Sequence, residues 1–187
     1  MKKIENFISR QRQVYPLSDE AFHCLLEEME DVRFSKNEQA FREGDPERYV
    51  WFVEKGLARA YVERDGKDIT LWFVSDGDMV NTVCRETAAY HLEMVEDTVL
   101  LRMPARRWEE LLEHSLELSN WGRKLLMTYM AEYENYFIND SWSEAREQYE
   151  SLMRTQPDLF RKVPLKHIAS YLQITPQSLS RIRASRK

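Results

Sequence analysis

The sequence predicts an α+β protein with an N-terminal antiparallel β-roll, a long helix and a C-terminal helix-turn-helix. Three observations lead to this fold class. Four glycines recur 10 to 12 residues apart between β-branched and aromatic stretches, and an apolar stripe with coiled-coil spacing follows them. Residues 161–187 then carry seven basic and no acidic side chains. These patterns indicate short strands, an extended helix and a basic helical unit, in that order.

The β-roll is predicted from the glycine-spaced region. Each glycine lies in turn chemistry such as Asp-Gly or Lys-Gly; the four are Gly44, Gly56, Gly66 and Gly77. Asp65-Gly66 separates two apolar runs and predicts a hairpin, because glycine tolerates a positive φ. The predicted strands are 49–53, 57–62, 69–74 and 92–103. A helix capped by Ser18 or Asp19 is predicted before the roll, over 17–30.

A long helix is predicted over 116–139, after a shorter helix that begins near Pro104. Part of its apolar stripe has the 4-3-4 spacing of a coiled-coil seam, and another part lies on the adjacent face. One face would then pack on the β-roll and the other on a second copy of the chain, although the whole stripe packing on the roll is the alternative. The residues assigned to this dimerisation helix are Trp121, Leu125, Leu126, Met130, Tyr133 and Phe137.

The last segment predicts two short helices joined by a tight turn. A helix over 143–155 precedes them and ends at Gln156-Pro157-Asp158. Thr175 is a good N-cap and Pro176 suits the first helical position, so the second short helix should begin at that point. We therefore divide the chain into a β-roll sensor at 1–113, a dimerisation helix at 114–140 and a helix-turn-helix domain at 141–187.

The second short helix has a polar face suited to DNA. At 100° per residue, Gln177 and Arg181 point away from the buried Leu179. Glutamine and arginine side chains pair with adenine and guanine edges in the major groove, and hydroxyl groups and helix N-termini suit phosphates. The residues assigned to DNA binding are Thr175, Pro176, Gln177, Ser178, Ser180, Arg181, Arg183 and Lys166.

The string from Ile168 to Arg183 resembles the helix-turn-helix of the Crp/Fnr family of transcription regulators, in particular its Bacteroidetes-type members. The stretches 41–61 and 95–101 resemble the opening and closing strands of a cyclic nucleotide-binding domain. The resemblance implies a homodimer that binds a near-palindromic duplex, with Arg181 reading a base. RNA polymerase is a further candidate partner. One departure is Gln173, which stands where many helix-turn-helices use glycine.

The nucleotide pocket departs further from the family pattern. Cyclic-nucleotide binders place a Gly-Glu pair at the ribose and an Arg beside a Ser or Thr at the phosphate. Here Asn81-Thr82 stands in place of the Gly-Glu pair, and Glu86-Thr87 stands at the phosphate position, with Arg85 one residue away. Losing both contacts would weaken binding by roughly two to four decades. We therefore expect no cofactor and no control by cAMP or cGMP, and assign a pocket for another effector to Asn81, Thr82, Arg85 and Thr87.

Composition excludes several classes of protein. No apolar run approaches the roughly 20 residues of a membrane span, and the first residues make a poor signal peptide, so we expect a cytoplasmic protein. Cys24 and Cys84 form no ligand cluster, and His91 and His114 stand alone, so no metal site is expected. No Ser-His-Asp order or P-loop indicates an enzyme. Two alternatives remain: a ligand-binding module that contacts protein partners, and a true cyclic-nucleotide-responsive regulator.

Overall fold

The computed structural model describes residues 4–81, 86–140 and 143–185, without the side chains of 139 and 140. Two antiparallel sheets face each other and form the β-roll. One has the strand order β1-β7-β3 and the other the order β2-β6-β4-β5. The strands are β1 Glu30–Phe34, β2 Gln39–Phe41, β3 Tyr49–Lys55, β4 Leu57–Arg64, β5 Lys67–Ser75, β6 His91–Met94 and β7 Thr98–Pro104.

Helices cover the outer faces of both sheets. They are α1 Glu5–Val14, α2 Asp19–Glu27, α3 Ala105–His114, α4 Leu116–Asn135, α5 Ala145–Thr155, α6 Leu159–Lys162, α7 Leu165–Tyr171 and α8 Pro176–Ala184. A π-helical turn, Tyr136–Asp140, extends α4. No helix among the described residues is long and apolar enough to cross a membrane.

The molecule is layered around the roll. Apolar side chains of the three-stranded sheet, including Phe52 and Leu101, pack against α1 to α4. The inner faces of the two sheets bury Trp51, Val53 and Leu92 between them. The outer face of the four-stranded sheet contributes Leu57 to the core of α5 to α8. The C-terminal helices therefore pack directly on the roll.

The predicted hairpin is confirmed. β4 pairs with β5 up to Arg64 and Lys67, leaving Asp65 and Gly66 as a two-residue turn. Both turn residues have positive φ, 52° and 70°, as a type I′ turn requires. Gly56 is required for a different reason: a Cβ there would lie 2.5 Å from Thr98 Oγ1.

One strand prediction is wrong, because the run 92–103 contains two strands in different sheets. β6 belongs to the four-stranded sheet and β7 to the three-stranded sheet. The chain crosses between them at 95–97, where the Val95 N–H donates to the Leu57 carbonyl at 2.8 Å. The run is interrupted by Glu96-Asp97, but a short polar break of this kind does not reveal that the two halves join different sheets.

The chain also has elements that the sequence did not predict, namely β1, β2, α1 and α6. Glu54 accepts hydrogen bonds from the Asn6 and Phe7 amides at 3.2 and 3.0 Å, so its carboxylate caps the first turn of α1. Phe7 is fully buried and packs edge-on against Phe52. Contacts with β3 thus stabilise a helix whose own sequence is mostly polar.

The other predicted helices are confirmed with shorter bounds. Ser18 caps α2, and its hydroxyl accepts from the Ala21 amide. α4 keeps α-helical geometry only to Asn135, four residues short of the predicted end. α5 ends at Thr155, as predicted, and the short α6 follows the break.

Candidate nucleic-acid interface and ligand pocket

The turn between α7 and α8 forms as its local sequence predicts. The Thr175 hydroxyl accepts from the Ser178 amide at 3.1 Å, and Pro176 occupies the first turn of α8. Gln173 has a φ of 55°, the left-handed conformation expected at this position. Such a residue costs roughly 1 kcal/mol more than glycine, which the packing around the turn offsets.

The two helices are fixed to each other by a shared apolar core. Leu179 of α8 and Ile168 and Ala169 of α7 are fully buried. Ala169 lies within α7, and its carbonyl accepts from the Ile174 amide beyond the turn at 2.9 Å. Leu152, Leu159 and Val163 extend this core to α5 and α6. α8 is thus a fixed part of a four-helix unit.

The residues predicted to read DNA lie on the outer face of α8. Gln177, Ser180, Arg181 and Arg183 are exposed, as is Lys166 on α7. Within the described part of the chain, the structure records no hydrogen bond or ion pair for the side chain of Gln177 or Arg181. Ser178 differs, because its hydroxyl lies 3.0 Å from that of Thr175 and is part of the cap. The outer face therefore presents the Gln177 amide and the Arg181 guanidinium to solvent, four residues apart.

The long helix divides its apolar residues between two faces. Leu126, Met130, Tyr133 and Phe137 are 47%, 60%, 59% and 53% exposed. Met127 and Ile138, which the sequence analysis did not assign, are also more than half exposed. We name the exposed set Leu126, Met130, Tyr133 and Phe137 the α4 stripe.

Two residues of the predicted dimerisation helix face the other way. Trp121 is fully buried and Leu125 is 2% exposed, both in the core that α4 shares with the roll. Trp121 stacks on Phe52 with ring centroids 6.4 Å apart. Of the two faces that the apolar stripe was expected to have, Trp121 and Leu125 lie on the one that packs on the roll, where a second copy could not reach them.

Asn81, one of the residues assigned to the ligand pocket, has its side chain bonded within the protein. Its side chain bonds β3 and the segment just before it. Oδ1 accepts from the Trp51 amide at 3.0 Å, and Nδ2 donates to the Tyr49 carbonyl at 2.9 Å and to the Glu47 carboxylate at 3.1 Å. Asn81 is a structural residue, and its assignment to ligand binding is wrong. Thr82 and Arg85 lie outside the described residues. Thr87 is exposed, and its backbone forms an isolated antiparallel β-bridge with Pro46.

Aromatic side chains occupy the adjoining part of the roll. Tyr90 donates from its hydroxyl to the Val80 carbonyl at 2.8 Å. Its ring lies edge-on to Trp72 at 4.8 Å and beside Phe41 at 5.6 Å. Phe41 in turn lies 6.5 Å from Trp51. Tyr90, Trp72, Phe41 and Trp51 thus form a row of rings beside Val80. The guanidinium of Arg102 lies 5.7 Å from the Trp51 ring centroid.

The two histidines considered as metal ligands have other contacts. The ring of His91 stacks on Tyr61 at 4.8 Å, and Nδ1 of His114 lies 2.8 Å from the Glu110 carbonyl. The described residues contain no group of three or more His, Cys, Asp or Glu side chains placed to hold a metal ion.

A third histidine, His167, lies at the contact between α7 and the roll and was not predicted. Its side chain is buried, and burial, with Arg59 and Lys166 nearby, lowers its pKa from 6.5 to about 4; Glu93 and Asp68 oppose this shift. An unfolded chain would bind a proton on this residue below about pH 6.5, while the folded chain would not do so until about pH 4. Stability contributed by His167 is therefore lost as the pH falls through that window.

We expect the variant His167→Gln to lose less stability than the wild type between pH 7 and pH 5. Glutamine is neutral throughout, so the difference between the two proteins isolates His167 from the carboxylates. Urea unfolding at both pH values measures it. Equal losses in the two proteins would show that His167 is protonated as readily in the folded chain as in the unfolded one.

Comparison with known proteins agrees with this architecture. Residues 31–115 match the cyclic nucleotide-binding domain family. A search of curated protein sequences finds no match. The structure is similar to that of FixK2 from Bradyrhizobium japonicum, with a TM-score of 0.72 and 17% identity over 84% of this chain and 83% of that one.

Two further solved structures share the fold. The c-di-GMP responsive global regulator CLP of Xanthomonas campestris has a TM-score of 0.70 and 15% identity, covering 90% of this chain and 91% of that one. The catabolite activator protein of Thermus thermophilus has a TM-score of 0.60 and 17% identity, covering 94% and 85%. The chain therefore has the fold of Crp/Fnr-type regulators, with a cyclic nucleotide-binding domain at its core.

Proposed function

We propose that the protein is a sequence-specific DNA-binding transcription regulator that acts as a homodimer in the cytoplasm. The observation that carries this proposal is the outer face of α8. Gln177 and Arg181 are exposed on a capped helix whose opposite side is buried, which is the arrangement a recognition helix needs to enter a major groove. Two of the similar structures are named as a global regulator and as an activator protein, which supports the proposal through the fold.

Charge supports the same surface. Residues 161–187 carry seven basic groups, whereas residues 1–160 carry 20 basic and 32 acidic ones. Lys166, Arg181 and Arg183 are exposed on α7 and α8. A polyanion is therefore attracted to the helix-turn-helix end and repelled by the rest of the molecule. This asymmetry favours a DNA partner over a protein-contacting module that keeps the helix-turn-helix only as a scaffold.

The α4 stripe supports the homodimer. Four large apolar side chains at coiled-coil spacing are about half exposed, whereas monomeric proteins rarely expose such a contiguous apolar surface. A second copy with the same stripe would cover it around a two-fold axis. Two recognition helices would then meet one near-palindromic duplex. RNA polymerase remains a proposed partner on the family resemblance alone.

We further propose that neither cAMP nor cGMP is the effector. Asn81 uses its amide to bond β3, and Glu86 stands where the family pattern has a cation. Calorimetric titration of the purified protein with each nucleotide tests this, with c-di-GMP as a third ligand because a similar structure is described as responsive to it. We expect no heat from cAMP or cGMP at millimolar concentration. Micromolar binding would make the protein a cyclic-nucleotide-responsive regulator.

Selection from a randomised duplex library tests the DNA-binding proposal. We expect enrichment of a near-palindrome whose half-sites lie about one helical turn, ~10–10.5 base pairs, apart. Recovery of no common sequence after repeated rounds would contradict specific recognition and leave the protein-contacting module as the better account.

A further inference from the structure

A hydroxyl group of α7 bonds the free edge of the four-stranded sheet. β5 is an edge strand, so alternate N–H and C=O groups of its backbone point away from β4. The Ser170 hydroxyl donates to the Asp68 carbonyl at 2.7 Å and accepts from the Thr70 amide at 2.9 Å. These two groups flank one strand position, where a residue of an added strand would bond them. The Ser170 hydroxyl thus satisfies the two backbone groups that one residue of a further strand would otherwise bond.

The β5 side of this contact is fixed by an ion-pair network around one buried arginine. Arg59 of β4 is 2% exposed and donates to the Asp68 carboxylate and to Glu93, at 2.9 Å in each case. Its guanidinium lies over the Tyr61 ring, 4.0 Å from the centroid. Asp68 therefore bonds Arg59 through its side chain and Ser170 through its carbonyl. β6, β4, β5 and α7 are connected in one polar chain.

Ring contacts and an ion pair flank this chain and leave the outer face of α8 uncovered. Tyr171 lies 5.6 Å from Phe73 of β5 and 6.3 Å from Tyr136 at the end of the long helix. Lys162 pairs with Glu96 at 2.7 Å. Gln177 and Arg181 take no part and stay exposed. The attachment is therefore compatible with DNA binding and determines how α8 is oriented on the roll.

We propose that Ser170 is a positioning residue that holds the helix-turn-helix in one orientation on the β-roll and so sets the spacing of half-sites that a dimer accepts. This inference rests on the proposed function. Two recognition helices rigidly attached to their rolls and long helices have one separation, which fits one operator spacing. If the helix-turn-helix units were attached only through the segment after the long helix, a dimer would accept several half-site spacings. At each spacing the effective concentration of the second unit at its half-site would be lower.

The test compares the full-length wild type with Ser170→Ala and Ser170→Thr. Each protein is titrated with the selected operator, with operators lengthened or shortened at the centre by one and two base pairs, and with a single half-site. We expect Ser170→Ala to bind the selected operator about tenfold more weakly and to lose most of its preference among spacings, with half-site binding unchanged. Ser170→Thr keeps the hydroxyl and should behave as the wild type.

A second measurement uses no DNA. Loss of the acceptor for its N–H should make the Thr70 amide exchange hydrogen about tenfold faster in Ser170→Ala, with no change at amides of the β3–β7 pairing. An unchanged preference among spacings in Ser170→Ala, or unchanged Thr70 exchange, would overturn the inference. If the wild type binds no duplex, the proposed function fails and the role of Ser170 on DNA fails with it. Thr70 exchange would still decide whether the hydroxyl holds α7 to the sheet edge.

Discussion

Replacing Arg181 with alanine is expected to weaken binding to the selected operator by about 1–3 kcal/mol per contact, which is roughly a tenfold loss for each 1.4 kcal/mol. Its guanidinium is exposed on the outer face of α8, where it can donate two hydrogen bonds to the edge of one guanine. Because that contact distinguishes bases, the variant should also lose discrimination at one position in each half-site. Fluorescence anisotropy with the operator and its single-base variants measures both effects.

Lys166→Ala is the matched control, since Lys166 is an exposed cation on α7, away from the reading face. Loss of a phosphate contact weakens binding to all sequences alike and lowers the number of counterions released on binding by about one. The two variants therefore separate base reading from charge attraction. Should Arg181→Ala behave like Lys166→Ala, with equal losses on every duplex, Arg181 contacts only the phosphate backbone.

Introducing a charge into the α4 stripe is expected to have the larger effect. In Met130→Glu the new carboxylate would be buried between two copies without a partner, which opposes association. We expect a monomer by sedimentation and a loss of about 10²–10⁴ in operator affinity, since the two half-sites are then bound independently. Met130 is 60% exposed within one chain, so the fold itself should tolerate the substitution.

Lys124→Glu provides the control, because it places the same residue on an exposed position of α4 away from the stripe. It should remain a dimer with nearly unchanged affinity. The unfolding curve of Lys124→Glu should match that of the wild type within about 0.5 kcal/mol, as for other surface substitutions. Met130→Glu should lose the concentration-dependent stability that association contributes, and still unfold cooperatively as a monomer. A dimeric Met130→Glu protein would show that the copies associate through another surface.

The helix-turn-helix was predictable because its signals are local. Thr175 and Pro176 define the start of α8 within two residues, and Gln173 adopts the expected left-handed turn. The hairpin at Asp65-Gly66 is predictable for the same reason. In each case the backbone conformation follows from the residues that adopt it, so no distant contact is needed to specify it.

The elements that were missed depend on contacts between distant residues. Phe7 and Glu54, 47 residues apart, stabilise α1. The crossing of the chain between β6 and β7 depends on pairing with strands from two sheets. Trp121 and Leu125 belong to the apolar pattern of α4, but the position of the roll decides which face is buried.

The candidate site shows the same division. The sequence predicted which side chains of α8 are exposed, because helical periodicity fixes their direction. It did not predict that Ser170 meets the edge of β5, since these residues lie 100 or more positions apart. Nor did it show that the Asn81 side-chain amide bonds the backbone of β3. A polar residue at this position of the family pattern could either contact a ligand or bond the protein's own backbone, and the sequence does not distinguish the two.

The most direct test of the central claim is a titration of the full-length protein with the selected operator and with a scrambled duplex of equal length, at salt concentrations between about 50 and 200 mM. We expect the operator to bind 10³- to 10⁷-fold more tightly, with two chains per duplex and affinities that fall steeply with salt. Equal affinity for the two duplexes, or no dependence on salt, would contradict the account of α8 as a recognition helix.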